Sequence, residues 1–176
     1  MDRFMEQVVV KHGRGLNEVL YVLSLLAMIF FGLLALLGLN LIFMQFSVGL
    51  LIELVFCAGA AVVLFLFRDR LRTEYEYTFT NGDLDFAMVF NNQKRKSLGS
   101  LKVRNVDAFG PVNSQAFQRY MTMKDVKKNN WFLNRGAELY FFYFQKEGNK
   151  RLIILEPNEE LVGYIKQYLP HGALQA

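Results

Sequence analysis

The sequence has almost nothing from which a metal centre, a disulfide framework or a catalytic triad could be built. It contains one cysteine, Cys57, and two histidines, His12 and His171, far apart in the chain. A single thiol makes neither an internal disulfide nor a cysteine metal site. Metal ligation draws on clustered His, Cys or carboxylate side chains. Glycine-rich phosphate loops and nucleophile elbows are missing, and Ser97, Ser100 and Ser114 have no histidine near them in sequence. Asp83 and Asp85 sit beside Asn81-Gly82 and read as turn chemistry, not an acid–base pair. Neither a cofactor nor an enzymatic activity is expected. The formal net charge is only +4, whereas nucleic-acid binding calls for a concentrated basic face.

Charge is scarcest between Glu18 and Arg68, where Glu53 is the one charged side chain. A bilayer core needs roughly 20 apolar residues in helical form. The stretch holds two such spans, 19–39 and 46–67, joined by a short link whose polar residues are Asn40 and Gln45. A soluble helix carries a polar face, but Leu33–Leu37 and Val62–Phe67 are apolar all round. A cleaved signal peptide has a shorter apolar region of about 7–15 residues. The composition therefore predicts a transmembrane hairpin of antiparallel neighbours, partnered by the lipid bilayer.

Lys and Arg near span ends set orientation. Arg3, Lys11 and Arg14 precede the first span, Arg68, Arg70 and Arg72 follow the second, and the link has neither residue type. Both termini are expected in the cytoplasm, in a multi-pass plasma-membrane protein with its C-terminal domain inside the cell. Residues 1–18 form a lead with two open readings, a short amphipathic helix on the membrane (Phe4, Met5, Val8 and Val9 recur near helical spacing, with Asp2, Arg3, Glu6 and Lys11 interleaved) or an unstructured terminus.

An ionisable residue inside a span is a functional hypothesis by default. Gly49, Glu53, Cys57 and Ala61 follow one another at spacing four, a small-residue face suited to helix packing. The plain reading directs Glu53 into a helix–helix seam, towards Ser24, Asn40 or Gln45. The sharper one makes it a proton or ion site in an oligomer.

Beyond Arg72 the period changes to two. Tyr75, Tyr77 and Phe79 alternate with polar residues, Asn81-Gly82 supplies a hairpin turn, and Leu84, Phe86, Met88 and Phe90 alternate again. With Lys94–Val103 this predicts a three-stranded meander over 74–103. Further strands are expected near 126–133, 138–145 and 151–155, while 113–124 is either a short helix or a loop. Pro157, Glu159 and Glu160 open a closing helix with an apolar stripe of Leu161, Val162, Ile165, Tyr168 and Leu169.

Three stretches in this order carry a resemblance: Glu-Tyr-Glu-Tyr-Thr-Phe-Thr-Asn-Gly-Asp-Leu-Asp (74–85), Asn-Gln-Lys-Arg-Lys (92–96) and Arg-Leu-Ile-Ile-Leu-Glu-Pro-Asn-Glu-Glu-Leu (151–161). The chain resembles small two-span bacterial membrane proteins of unknown function, associated with Gram-positive anaerobes, that carry a C-terminal pleckstrin-homology-like (PH-like) domain. The resemblance implies an α+β chain: a transmembrane hairpin, then a bent antiparallel β-sandwich or barrel of about seven strands over 73–170, capped by the last helix, with a tail at 171–176. It supplies no catalytic residues.

The basic residues give the candidate binding set. From Arg68 onward there are seventeen Lys and Arg against twelve Asp and Glu, a sign suited to an anionic inner leaflet. Arg68, Arg70, Arg72, Lys94, Arg95 and Lys96 are the candidates for lipid headgroups or a partner. The plain alternative for Lys94–Lys96 is a strand edge kept soluble by its charges. The leading functional expectation is a non-catalytic, membrane-anchored module presenting a protein-interaction or self-assembly surface. Anionic-lipid binding, or a small oligomeric transporter built on Glu53, stands as the alternative. The expected partners are anionic lipids, further copies of the chain or another membrane protein.

Overall fold

The computed structural model describes residues 3–175. Its order is β1 (Phe4–Val9), α1 (Gly15–Met44), α2 (Val48–Phe67), a 3-10 turn (Arg68–Arg72), β2 (Thr73–Thr80), β3 (Asp83–Phe90), β4 (Lys94–Lys102), β5 (Ala108–Pro111), α3 (Gln115–Thr122), β6 (Val126–Trp131), β7 (Tyr140–Lys146), β8 (Asn149–Leu155) and α4 (Glu159–Tyr168). Two compact units result. One gathers 3–12, 74–89 and 94–175, and the other gathers 13–73 with 90–93.

The β-unit corrects the reading of the N-terminus. Residues 4–9 are neither a membrane-surface helix nor an unstructured lead; they form β1, antiparallel to β2, with Phe4 opposite Thr80 and Val9 opposite Tyr75. Asp2, part of the amphipathic pattern, lies outside the described residues. The apolar residues of β1 match a helical period only because the strand is six residues long. Its partner lies on the far side of the helical insertion, where no local pattern can reveal it. The hairpin thus occupies the position of a β1–β2 loop.

Two four-stranded sheets follow, ordered β1-β2-β3-β4 and β5-β7-β8-β6. Among the described residues the strands number eight, β1 and the four-residue β5 being the additions, and β6 runs parallel to β8. Between the sheets lies a core that includes Tyr77, Phe79, Phe86, Phe109, Phe142 and Leu155, closed by Leu161 and Ile165 of α4. The outer face of the second sheet is buried as well: Phe141, Tyr143, Leu152 and Ile154 pack under Phe117 and Tyr120 of α3. Burial on both faces explains why 140–144 reads Tyr-Phe-Phe-Tyr-Phe without alternation. The segment 113–124 is therefore a helix, and Ser114 caps it by accepting from the Phe117 N–H. The cap of α4 is Asn158, whose side chain accepts from the Leu161 N–H, so the helix opens two residues after Pro157.

Two glycines are required by geometry. Asn81 and Gly82 both have positive φ, as the tight β2–β3 turn demands, and a Cβ on Gly82 would come 2.6 Å from the Tyr168 ring. At Gly110 a Cβ would meet the Gln175 carbonyl oxygen at 2.6 Å. Here the chain end is no loose tail. The Phe109 N–H donates to the Ala173 carbonyl and the Gln175 N–H to the Phe109 carbonyl, both at 2.8 Å, so 173–175 cover the edge of β5. Ala176 lies outside the described residues.

A buried polar cluster fastens β1 and the residues after it. The carboxylate of Glu156, 8% exposed, accepts from the backbone N–H groups of Leu133 and Asn134 and from the Asn134 side-chain amide. Asn134 in turn donates to the Val10 carbonyl and accepts from the His12 N–H. Gln7 reaches the Glu156 carbonyl and the Asn158 N–H. The Tyr77 hydroxyl donates to the Trp131 carbonyl and accepts from the Glu156 N–H. Desolvation by burial raises its pKa well above the ordinary tyrosine value.

In the helical unit, α1 runs five residues beyond its expected end, to Met44, leaving a link of only 45–47 before Val48. Both helices are long and apolar enough to cross a membrane, with a mean hydropathy of 2.7 over the best window and 6% of that window buried. So little burial differs from that of a helix in the core of a soluble fold, which is mostly buried. The less exposed residues Tyr21, Ser24, Met28, Phe31, Ala35 and Gly38 on α1, and Leu50, Leu54, Cys57, Ala61 and Leu64 on α2, mark the seam; a Cβ on Gly38 would lie 3.9 Å from Leu54, and the Phe31 ring meets Phe56 with 6.3 Å between centroids. Spacings alternate between three and four, the coiled-coil rhythm. Glu53 is exposed on this unit. It does not enter the seam, and Ser24 and Asn40 donate instead to the Tyr21 and Leu36 carbonyls of their own helix.

Candidate functional site

The β-unit offers a trough where the β5–β7 ladder runs out. Pro111 is the last residue of β5 and stands opposite Tyr140, the first of β7. The Val112 N–H donates to the Leu139 carbonyl at 2.9 Å, one step past the strands. The chain then diverges, leaving a groove of about 540 Å³ lined by Pro111, Val112, Asn113, Arg135 and Ala137–Tyr140. A second hollow of about 280 Å³ shares Glu138 and Tyr140 and continues to Glu159, Val162 and Lys166 at α4. These two hollows, which share two lining residues, are together called the trench.

The floor of the trench is firm. The Tyr140 ring stacks on Phe109, with centroids 5.3 Å apart and planes 16° from parallel. Desolvation raises the pKa of its hydroxyl, with smaller contributions from the Glu138 and Glu159 carboxylates, so at neutral pH the group remains a hydrogen-bond donor. Val112, Leu139 and Pro111 supply apolar surface; Arg135, Lys166, Glu138 and Glu159 place both charge signs on the rim. Such a surface suits an extended polypeptide with an apolar anchor. No group of three His, Cys, Asp or Glu side chains that could hold a metal occurs among the described residues.

The residues selected from sequence lie elsewhere and are not one set. Arg68, Arg70 and Arg72 share the 3-10 turn after α2. Arg72 pairs with the Glu18 carboxylate, lies 3.7 Å over the Tyr21 ring and donates to the Asn91 side chain at 3.2 Å. Asn91 donates onward to Asp69 and to the Tyr21 hydroxyl, both at 3.3 Å. Arg72 therefore works inside the helical unit. Arg68 and Arg70 stack over Phe65 and Phe67, 5.1 and 4.6 Å from the ring centroids, with Arg68 3.6 Å from the Asp69 carboxylate. Aromatic and basic side chains paired in this way suit a bilayer interface.

Strand alternation divides the basic run of β4. Arg95 reaches across β3 to the Glu76 carboxylate of β2 at 2.7 Å, which puts Lys94 and Lys96 on the opposite face. The trench residues escaped the sequence reading because Asn134-Arg135-Gly136 signals only a turn. The close approach of Pro111 to Tyr140 depends on a pairing of segments nearly thirty residues apart.

A family model described as "Bacterial PH-like domain (DUF6106)" matches residues 1–175. Searches of curated proteins and of solved structures each found no match. With a hairpin of two apolar helices, two β-sheets and a closing helix under one family match that spans nearly its whole length, the chain belongs to the bacterial PH-like domain family DUF6106.

Proposed function

We propose that the protein is a non-catalytic, membrane-anchored PH-like module that holds a segment of another protein in the trench beside Tyr140. The observation that carries this reading is the trench itself, with its stacked aromatic floor and a rim of both charge signs. The occupant is an extended segment that places an apolar side chain against Leu139 and Tyr140. Photo-crosslinking tests it. A photoreactive residue replacing Ala137 should give a discrete adduct in cells, the same probe at Asn149 in the β7–β8 turn should not, and Tyr140→Ala should reduce the Ala137 adduct at least fivefold. Equal labelling from both positions would refute the site.

The strand pairing supports one orientation. Because β1 and β2 flank the hairpin and belong to one sheet, both flanks lie on one side of the membrane. The Lys and Arg distribution makes that side the cytoplasm. Reporter fusions at each end of the chain should both register the cytoplasm; a reporter active outside the cell would reverse the assignment. Arg68 and Arg70, stacked on Phe65 and Phe67, favour a subsidiary contact with anionic headgroups worth about 1 kcal/mol each.

A further inference from the structure

The outward face of α2 carries a polar group that nothing in its own chain satisfies by design. This helix has two stripes at alternating spacings of three and four, offset by one residue. Leu50, Leu54, Cys57, Ala61 and Leu64 meet α1. Gly49, Glu53, Phe56, Ala60 and Val63 form the second stripe, and all but the half-buried Ala60 are exposed. Glu53 lies five residues into a helix of twenty, about 7.5 Å along its axis and so within the apolar span. A carboxyl facing lipid there is unfavourable by a few kcal/mol, and the two spans contain no Lys or Arg to neutralise it.

We propose that two copies of the chain pair through this stripe, with Glu53 of each copy hydrogen-bonded to its equivalent across a twofold axis. At such an axis a residue meets itself. A carboxyl suits that position because one such group can donate to the other while accepting from it. Gly49 and Ala60, on either side, let the backbones approach, while the Phe56 ring leans back towards Phe31 of α1, with 6.3 Å between centroids. An ion pair with a different protein would require that protein to bring a cation; the second copy needs nothing the chain does not already hold.

The inference rests on the helices crossing the membrane. The test uses the full chain in bacterial membranes with Cys57→Ser as background. Under mild oxidation, Gly49→Cys should crosslink copy to copy, whereas Val55→Cys, on the far side of α2, should not. Adding Glu53→Gln should preserve the Gly49→Cys product, since an amide can also donate and accept. Glu53→Leu should lower it about tenfold, the scale of interhelical hydrogen bonds in membranes. Energy transfer between labelled copies in neutral-lipid vesicles should fall with Glu53→Leu in the same way. Equal products from Gly49→Cys and Val55→Cys, no product from either, or indifference to Glu53→Leu would overturn the pairing. A chain washed off membranes by alkaline carbonate would instead refute the spanning reading on which it depends.

Discussion

A chain in which residues 13–72 are replaced by a short Gly/Ser turn should fold as a soluble β-domain, and a fragment that starts at Thr73 should not. Val9 stands opposite Tyr75, so a turn of about four residues closes the β1–β2 pair. Val10–His12 must stay, because Asn134 bonds the Val10 carbonyl and the His12 N–H. Without residues 3–12, the inward Met5 and Val9 are lost, at roughly 2 kcal/mol each. The two Gln7 bonds go with them, at about 1 kcal/mol apiece. The sum is on the order of 5 kcal/mol, comparable with the whole stability of a small domain. It also leaves β2 as a long unpaired edge carrying Tyr75, Tyr77 and Phe79, an aggregation template. Urea unfolding and amide NMR spectra distinguish the two chains. Equal stability would mean that β1 is dispensable.

The second large effect is expected at Glu156. Glu156→Ala should destabilise the β-domain by about 3–4 kcal/mol, because the buried Leu133 and Asn134 N–H groups and the Asn134 side-chain amide all lose their acceptor. Glu156→Gln retains an oxygen acceptor and should lose about half as much. Asn134→Ala should be strongly non-additive with Glu156→Ala, since both break one network. Hydrogen exchange at the His12 amide gives a local readout, with protection lost in either variant although Glu156 itself never touches His12. Additive energies, or an unchanged His12 amide, would show that the cluster does not act as a unit.

Legibility tracked the range of the interactions. The hairpin was plain because thirty or more apolar residues with one charge leave few alternatives. The meander was plain because alternation and Asn81-Gly82 are local signals. Strand β1 was hidden by the insertion that separates it from β2, and β5 by its length and its Gly-Pro ending. Glu53 was misdirected by counting in fours: each such step drifts about 40° around a helix of 3.6 residues per turn, so Gly49 and Glu53 fall on one stripe and Cys57 and Ala61 on its neighbour. The basic run of β4 looked like one patch until the pleat sent Arg95 to Glu76. The trench was not legible, because its walls come from distant segments that only the sheet brings together.

The placement of two apolar helices between the first two strands has a consequence for biosynthesis. If the helices cross the bilayer as proposed, the ribosome releases β1 early, but its partner emerges only after both helices have been threaded through the insertion machinery. Those first residues must wait, and sheet closure becomes a report that the helices went in and came back. A hairpin that stalls halfway strands β1 on the wrong side of the bilayer from β2, leaving an open sheet for cellular proteases to recognise.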